Sequence, residues 1–330
     1  MLKVLNGRSF GLLVTLLIVL ALPRLITEPY GRGILIVCTL NIMLALSLNL
    51  VLGVAGQLHL GQSGFYAVGA YVSTILVKTY AVNFWTAGLV ATIVAAILGF
   101  LLSLFSMRLR GHYLGIASLG FAVVAYQVAV NWESVTEGVR GIYAIMPPPP
   151  ISFFGLGEYS FNQQINLFYF TSILAIFVYF LIDAIVRSPI GQSLLAIRED
   201  EISAASLGID SRVWKVFAFS TSSAIAGLAG CFYPVFVGTL VPDAFNIVES
   251  FSMMAMVIVG GLGTMLGPVI GAIVLTILPE FLREFGELRL MVYGISLTVV
   301  VLFMPGGIIQ ALKSLKNLNP MLKPNALKSS

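Results

Sequence analysis

Apolar residues in this chain come in long runs rather than in the strict alternation of a half-buried strand. The runs recur from residue 9 to residue 304, each close to the roughly 20 residues that a helix needs to cross a bilayer. Spans are predicted at 9–27, 33–53, 62–80, 84–106, 113–131, 165–186, 214–238, 248–266, 267–284 and 288–304. The reading is an all-α, polytopic transmembrane helical bundle of about ten spans, organised as a single domain over 1–330. The first run follows a basic start, as a signal peptide would, but no small-x-small cleavage site comes after it, so it is read as the first span.

Composition excludes a soluble fold. Of the 330 residues, 58% are hydrophobic and 10% are charged, whereas a soluble domain carries about 25% charged residues. Charge matters here through its sidedness. Ten spans put both termini on one side of the membrane. That side then holds Lys3, Arg8, Arg108, Arg110, Arg187, Arg198, Arg212, Lys215, Lys313, Lys316, Lys323 and Lys328, 12 of the 18 basic residues. By the positive-inside rule it is the cytoplasm, and the expected location is the inner (plasma) membrane of a bacterium. The long loop at 132–164 falls on the opposite, periplasmic side and contains "PPPP", which favours stiff extended backbone. The tail at 305–330 is cytoplasmic. Cys38 and Cys231 sit inside apolar segments with no metal-like or disulfide-like spacing and are read as packing residues.

The least hydrocarbon-like stretch is "RSPIGQSLLAIREDEISAASLGIDSR", the cytoplasmic loop 187–213. Asp183 lies at its entry, and Ser188-Pro189 breaks the preceding span. A helix from about 194 to 209 would set Glu199, Ser203, Ser206 and Asp210 on one side and Ile197, Ile202, Ala205 and Ile209 on another. Arg198 and Glu201 intrude on the apolar side, three apart and able to pair. Gly208 is the expected stop. Two faces of this kind suit a segment that leaves the membrane and seats on a partner better than they suit a plain linker.

Two regions interrupt the apolar pattern from within the membrane, "GVAGQLHLGQSGFYAVGAY" at 53–71 and "GGLGTMLGPVIGA" at 260–272. Glycines at three- and four-residue spacing let helices approach closely or mark discontinuous helices whose free backbone ends bind a substrate. In the first region Gln57, His59, Gln62, Ser63 and Tyr66 would be costly facing lipid, so they are expected to face a cavity or the protein interior. Gly260, Gly261 and Gly263 are the corresponding candidates in the second. Gly53 and Gly56 are echoed by Gly260 and Gly263, the pattern of an internal pseudo-symmetry.

Several chemistries lack their residues. No carboxylate lies near the middle of a predicted span, as a proton relay would require. His59 and His112 stand in unrelated contexts and offer no nucleophile with its base. There is no G-x-x-x-x-G-K-[ST] loop, so energy from ATP would have to come from a partner. An enzyme is not expected, nor a cofactor or metal bound by this chain. A passive facilitator for a small neutral solute fits the same features.

The loop "AIREDEISAASLGID" resembles the cytoplasmic coupling segment of the branched-chain amino-acid permeases of ATP-binding-cassette importers. "LNLVLGVAGQLHLGQSGFYAVGAY", "LRGHYLGIASLGF", "TEGVRGI", "VGGLGTMLGPVIGA" and "YGISLTVVVLFMPGGI" resemble that family in the same order, over roughly residues 33 to 310. "LRG-x-Y" and "REDE" are similar to the longer of its two permease subunits. The resemblance implies alternating access within a permease heterodimer, two cytoplasmic ATPase subunits that hydrolyse ATP, and a periplasmic substrate-binding protein. It implies ATPase coupling for Arg198, Glu199, Asp200, Glu201, Ala204, Ala205 and Gly208. Many relatives carry Ser and His where this chain has His59 and Gln62, so other neutral amino acids, or urea, join branched-chain amino acids as expected substrates.

Overall fold

A computed structural model of the chain describes residues 19, 21–26, 28–106, 113–153, 157–282, 294, 298 and 307–310. The chain folds as an all-α bundle. Among the described residues its main helices, leaving aside the single turn Glu133–Thr136, are α1 (Pro29–Asn49), α2 (Gln62–Tyr80), α3 (Phe84–Ser106), α4 (Tyr113–Asn131), α5 (Gln164–Arg187), α6 (Pro189–Glu199), α7 (Glu201–Ser206), α8 (Ser211–Val237), α9 (Ile247–Gly260) and α10 (Gly267–Phe281). Among the described residues six helical stretches are long and apolar enough to cross a membrane: Pro29–Val54, Phe84–Phe105, Tyr113–Asn131, Gln164–Arg187, Ser211–Val237 and Pro242–Gly260. Gly267–Phe281 is apolar but shorter. The predicted span 288–304 falls almost wholly outside the described residues, most of the span 9–27 lies outside them, and His112 lies outside them. The predicted span 248–266 stops early, because the helix ends at Gly260 and 261–266 form turns.

Helix α1 is apolar on every side and forms the centre of the bundle, which is the pattern of a helix with no solvent face. Ile36, Met43, Leu44, Ala45, Leu46 and Leu48 are fully buried, and the helix packs against α5, α8, α9 and α10. Pro29 sits at its start, where a missing N–H costs nothing. Beyond Asn49 the helix widens into a π-turn, Leu50–Val54, a departure that often marks functional positions.

The α3–α8 contact follows from side-chain size. Ala87, Ala91 and Ala95 are fully buried at four-residue spacing, and Gly99 continues the row. A Cβ on Gly227 of α8 would meet Ala95, and one on Gly99 would meet Ser223. Such a stripe of small residues brings two helix backbones together where lipid supplies no hydrophobic driving force. The other side of α3 presents Leu89, Ile93, Ile97, Phe100 and Phe105, all exposed in the isolated chain and suited to acyl chains. A second close approach joins α2 to α8, where a Cβ on Gly69 would strike the carbonyl of Gly227 and one on Gly230 that of Tyr66.

One end of the bundle carries the 132–163 loop. Two short antiparallel pairs fix it: Ile142–Tyr143 with Thr239–Leu240, and Ile151–Phe153 with Gly157–Tyr159. At that end Lys78 pairs with Glu137 at 2.9 Å, Tyr126 donates to Asp243 at 2.9 Å and Tyr30 to Glu280 at 2.5 Å. The opposite end gathers the π-turn, α6, α7 and the 261–266 connection. Both cysteines are buried and unbridged.

Candidate functional site: a re-entrant polar segment and the 187–213 loop

After the π-turn the chain reverses at Gly56 (φ +67°) and runs without regular structure through 56–61 back into the bundle. Its backbone is satisfied locally and by α4. Gln57 N–H donates to the Val51 carbonyl at 2.9 Å, and Leu60 N–H to Ser118 Oγ at 3.0 Å. Gly61 lies directly on the Ser118 carbonyl, and Leu58 fills the space left by the absent side chain of Gly115. A buried segment outside a helix survives at membrane depth only when its polar backbone is paired in this way.

The candidates of this segment are all buried, and four of them line its path. His59 is fully buried, with its ring 4.4 Å from that of Phe219 and 5.8 Å from that of Phe65. Gln62 donates to Ser47 Oγ at 2.7 Å and accepts from Ser222 Oγ at 3.4 Å. Ser63 is bonded to Ser250 of α9. Among the described residues Gln57 Oε1 and His59 Nε2 have no hydrogen-bond partner, an arrangement that costs free energy unless something else pairs with them. Tyr66 belongs to a different group, an aromatic cluster in which its ring lies 5.1 Å from Phe245 and 5.7 Å from Tyr233.

Sequence reading missed Ser47, Asn49, Ser118, Ser222 and Ser250, which complete this polar lining. The signal was present: each is a polar residue inside an apolar run, and such residues turn inward.

The second glycine region meets the first. A Cβ on Gly53 would collide with the backbone nitrogen of Gly263. Asn49 bridges the two, accepting from Gly263 N–H at 2.9 Å and donating to the Thr264 carbonyl at 3.0 Å. Glycine lets α9 and α10 touch, since a Cβ on Gly260 would strike the Gly267 carbonyl and one on Gly271 that of Met256. Thr264 closes the turn, donating to the Gly261 carbonyl at 2.9 Å and accepting from Gly267 N–H at 3.1 Å.

The 187–213 loop differs from the single helix expected over 194–209. It is two helices, α6 and α7, separated at Asp200, whose extended backbone (φ −158°, ψ 113°) cannot continue a helix. Ser188 caps α6 by accepting from Ile190 N–H at 3.2 Å, and Asp200 caps α7 by accepting from Ser203 N–H at 2.7 Å. That backbone hydrogen bond holds the Asp200 carboxyl below its ordinary pKa.

The break also undoes the expected pairing of Arg198 with Glu201. Glu201 instead accepts from Lys215 and from Ser211, each at 2.7 Å, while Arg198 Nη1 donates to the Gly53 carbonyl. The expected apolar side is split as well: Ile197 is buried and Ile209 half-buried, whereas Ile202 and Ala205 are exposed; Ala204, which lies outside the expected side, is buried. Glu199 is exposed at the end of α6, and Gly208 (φ +83°) ends the α7 turn with nothing near its α-carbon substituent position.

The family model for "Branched-chain amino acid transport system / permease component" matches residues 32–303. The chain belongs to this family. Within it, the chain is 34% identical over 300 residues to the high-affinity branched-chain amino acid transport system permease protein LivM of Escherichia coli strain K12, covering 84% of this chain and 70% of that protein. It is 33% identical to the LivM permease of Salmonella typhimurium, covering 90% and 74%. A probable branched-chain amino acid transport permease protein LivH of Methanocaldococcus jannaschii is 26% identical, covering 82% and 87%. No solved structure matches the chain. The family match spans both glycine regions and the loop between them.

Proposed function

We propose that this chain is the transmembrane permease subunit of an ATP-driven importer that carries branched-chain or other neutral amino acids into the cytoplasm by alternating access. The observation that carries this reading is the buried, uncharged polar lining of the 56–63 segment, set beside a second helix interruption in a member of a permease family. Hydroxyls, amides and free helix ends suffice to hold a zwitterion, and none of them brings a buried charge that would trap it. Gln57, His59, Gln62, Ser63 and Tyr66, with Gly260, Gly261 and Gly263, form or support the pathway.

The remaining parts of the proposal follow from that function. The chain crosses the inner membrane about ten times with both termini in the cytoplasm. It pairs with a second permease subunit, a reading supported by relatives named both LivM and LivH. Two cytoplasmic subunits hydrolyse ATP and a periplasmic protein delivers substrate, so this chain binds no cofactor of its own. The loop couples to the ATPase through Arg198, Glu199, Asp200, Glu201, Ala204, Ala205 and Gly208: the exposed Glu199, Asp200, Glu201, Ala205 and Gly208 contact it, while Arg198, bonded to the Gly53 carbonyl, and the buried Ala204 act within the chain. Ile202 and Leu207, each 80% exposed, supply the apolar contact that loop charges alone would lack; charge fixes register more than it adds affinity.

Proteoliposomes holding the permease pair and its ATPases test the whole. Uptake of leucine should require ATP and the soluble binding protein, and competition by neutral, acidic and basic amino acids and urea ranks the substrates. Equilibration without ATP would establish a passive facilitator instead. Ile202→Asp combined with Leu207→Asp should release the ATPases on purification, and full retention would refute the docking assignment.

A further inference from the structure

Three glycines make a socket for one side chain. Gly53 presents its carbonyl to Arg198 Nη1. A Cβ on Gly56 would lie 2.7 Å from Arg198 Cγ, and one on Gly263 would lie 2.9 Å from Arg198 Nη1. The arginine stem therefore passes over the turn that begins the re-entrant segment, and its guanidinium is wedged between the end of the π-turn and the α9–α10 connection. Asn49 fastens the same two backbones from the other side through Gly263 and Thr264. A Cβ on Gly307 would lie 2.6 Å from Gly261, so a fourth stretch of chain closes on the same junction.

The chemistry favours a specific contact over a solvated charge. The last carbonyls of a helix have no partner within it, and a guanidinium bond to such a carbonyl is charge-assisted and directional. The loop acids next to Arg198 have other work: Asp200 caps α7 and Glu201 holds Lys215. Behind the arginine, Leu194 and Ile197 of α6 are buried against the bundle, so the socket is entered from a helix that is itself seated.

We propose that Arg198 is a positioning residue that ties the cytoplasmic loop to both helix interruptions, so that displacement of α6 moves the 55–61 segment and the 261–266 connection together. Arg198 is exposed as a residue, but its Nη1 is turned onto the Gly53 carbonyl, so it is the link through which loop movement reaches the polar lining, and the exposed residues of α7 are left to contact the partner. This inference rests on the reading that the loop docks an ATPase.

The test uses the complete transporter in proteoliposomes, with leucine uptake, ATP hydrolysis and co-purification of the ATPases measured on the same samples. Arg198→Met and Gly56→Ala should keep the ATPases and keep hydrolysing ATP, while leucine taken up per ATP falls about ten-fold, the scale of one charge-assisted hydrogen bond. Arg198→Lys, which still reaches a single carbonyl, should recover part of the loss. Unchanged uptake per ATP in Arg198→Met overturns the proposal. Loss of the ATPases from Arg198→Met also overturns it, since Arg198 would then belong to the docking surface. So does an Arg198→Met variant that fails to assemble while Arg198→Lys couples no better. ATPases that remain on the Ile202→Asp, Leu207→Asp double variant count against docking alone, because that variant leaves the Arg198 socket intact.

Discussion

Ser250 Oγ accepts the backbone N–H of Ser63 at 2.9 Å and donates to Ser63 Oγ at 2.7 Å. One hydroxyl on α9 thereby satisfies a donor in the first turn of α2, where helix N–H groups have no partner of their own. Both residues are buried. Ser250→Ala leaves a buried N–H and a buried hydroxyl unpaired, and should lower stability by about 1–3 kcal/mol. Ser63→Ala removes only the hydroxyl bond and should cost less. Thermal unfolding in detergent orders the two variants, and the reverse order would show that the backbone bond is not the one that matters.

Glycine positions separate by what lies over them. Gly69→Ala and Gly230→Ala each push a methyl into a carbonyl of the facing helix, an overpacking expected to cost about 1–3 kcal/mol. Gly120 on α4 has nothing within contact distance. Gly120→Ala should leave stability unchanged or raise it by up to about 1 kcal/mol through helix propensity alone. Melting temperatures of the three variants check the contrast, and equal losses at all three would mean that α2 and α8 are not in contact at these glycines.

His59 and Gln62 are fully buried and three residues apart in the same lining. Exchanging their chemistry, with His59→Ser and Gln62→His together, should alter the ranking of competing substrates while the permease pair still assembles. A competition profile identical to the wild type would remove this segment from the pathway.

Asp200 links the loop to pH. Its carboxyl titrates below the ordinary range because the ionised form accepts the Ser203 N–H. A depressed folded value means that the cap's contribution is fully present above the unfolded value of about 3.9 and is lost as pH falls through the lower, folded value. Hydrogen exchange of residues 201–206 should therefore be level from neutral pH down to about 4, once the intrinsic pH dependence is removed, and quicken only below it. Asp200→Ala should show the quick exchange at every pH. Protection that fades between pH 7 and 5 would point to a different titrating group.

Much of the helical order was legible because a membrane helix writes its length into an apolar run. The early end of α9 and the return of the chain at Gly56 were announced by glycines and by polar residues such as His59. The loop was misread as one helix because the isoleucine spacing was weighed and Asp200 was not, although Asp is a favoured N-cap residue. What no local pattern carries is partnership at distance. Arg198 reaches a carbonyl 145 residues away, and Ser63 finds Ser250 across 187. A backbone carbonyl has no letter in the sequence, so the socket at Gly53, Gly56 and Gly263 is visible only once the fold has brought those glycines together.

The row of Ala87, Ala91, Ala95 and Gly99 has a mechanical meaning. With a rise of 1.5 Å per residue, four residues advance a helix by about 6 Å. Moving α3 along α8 by that step, with a turn of about 40°, returns a small residue to three of the four places in the row. Between such registers the Ala95 methyl leaves the gap that Gly227 provides. The contact therefore has the shape of a notched rail, with the bulk of α3 on its outer side.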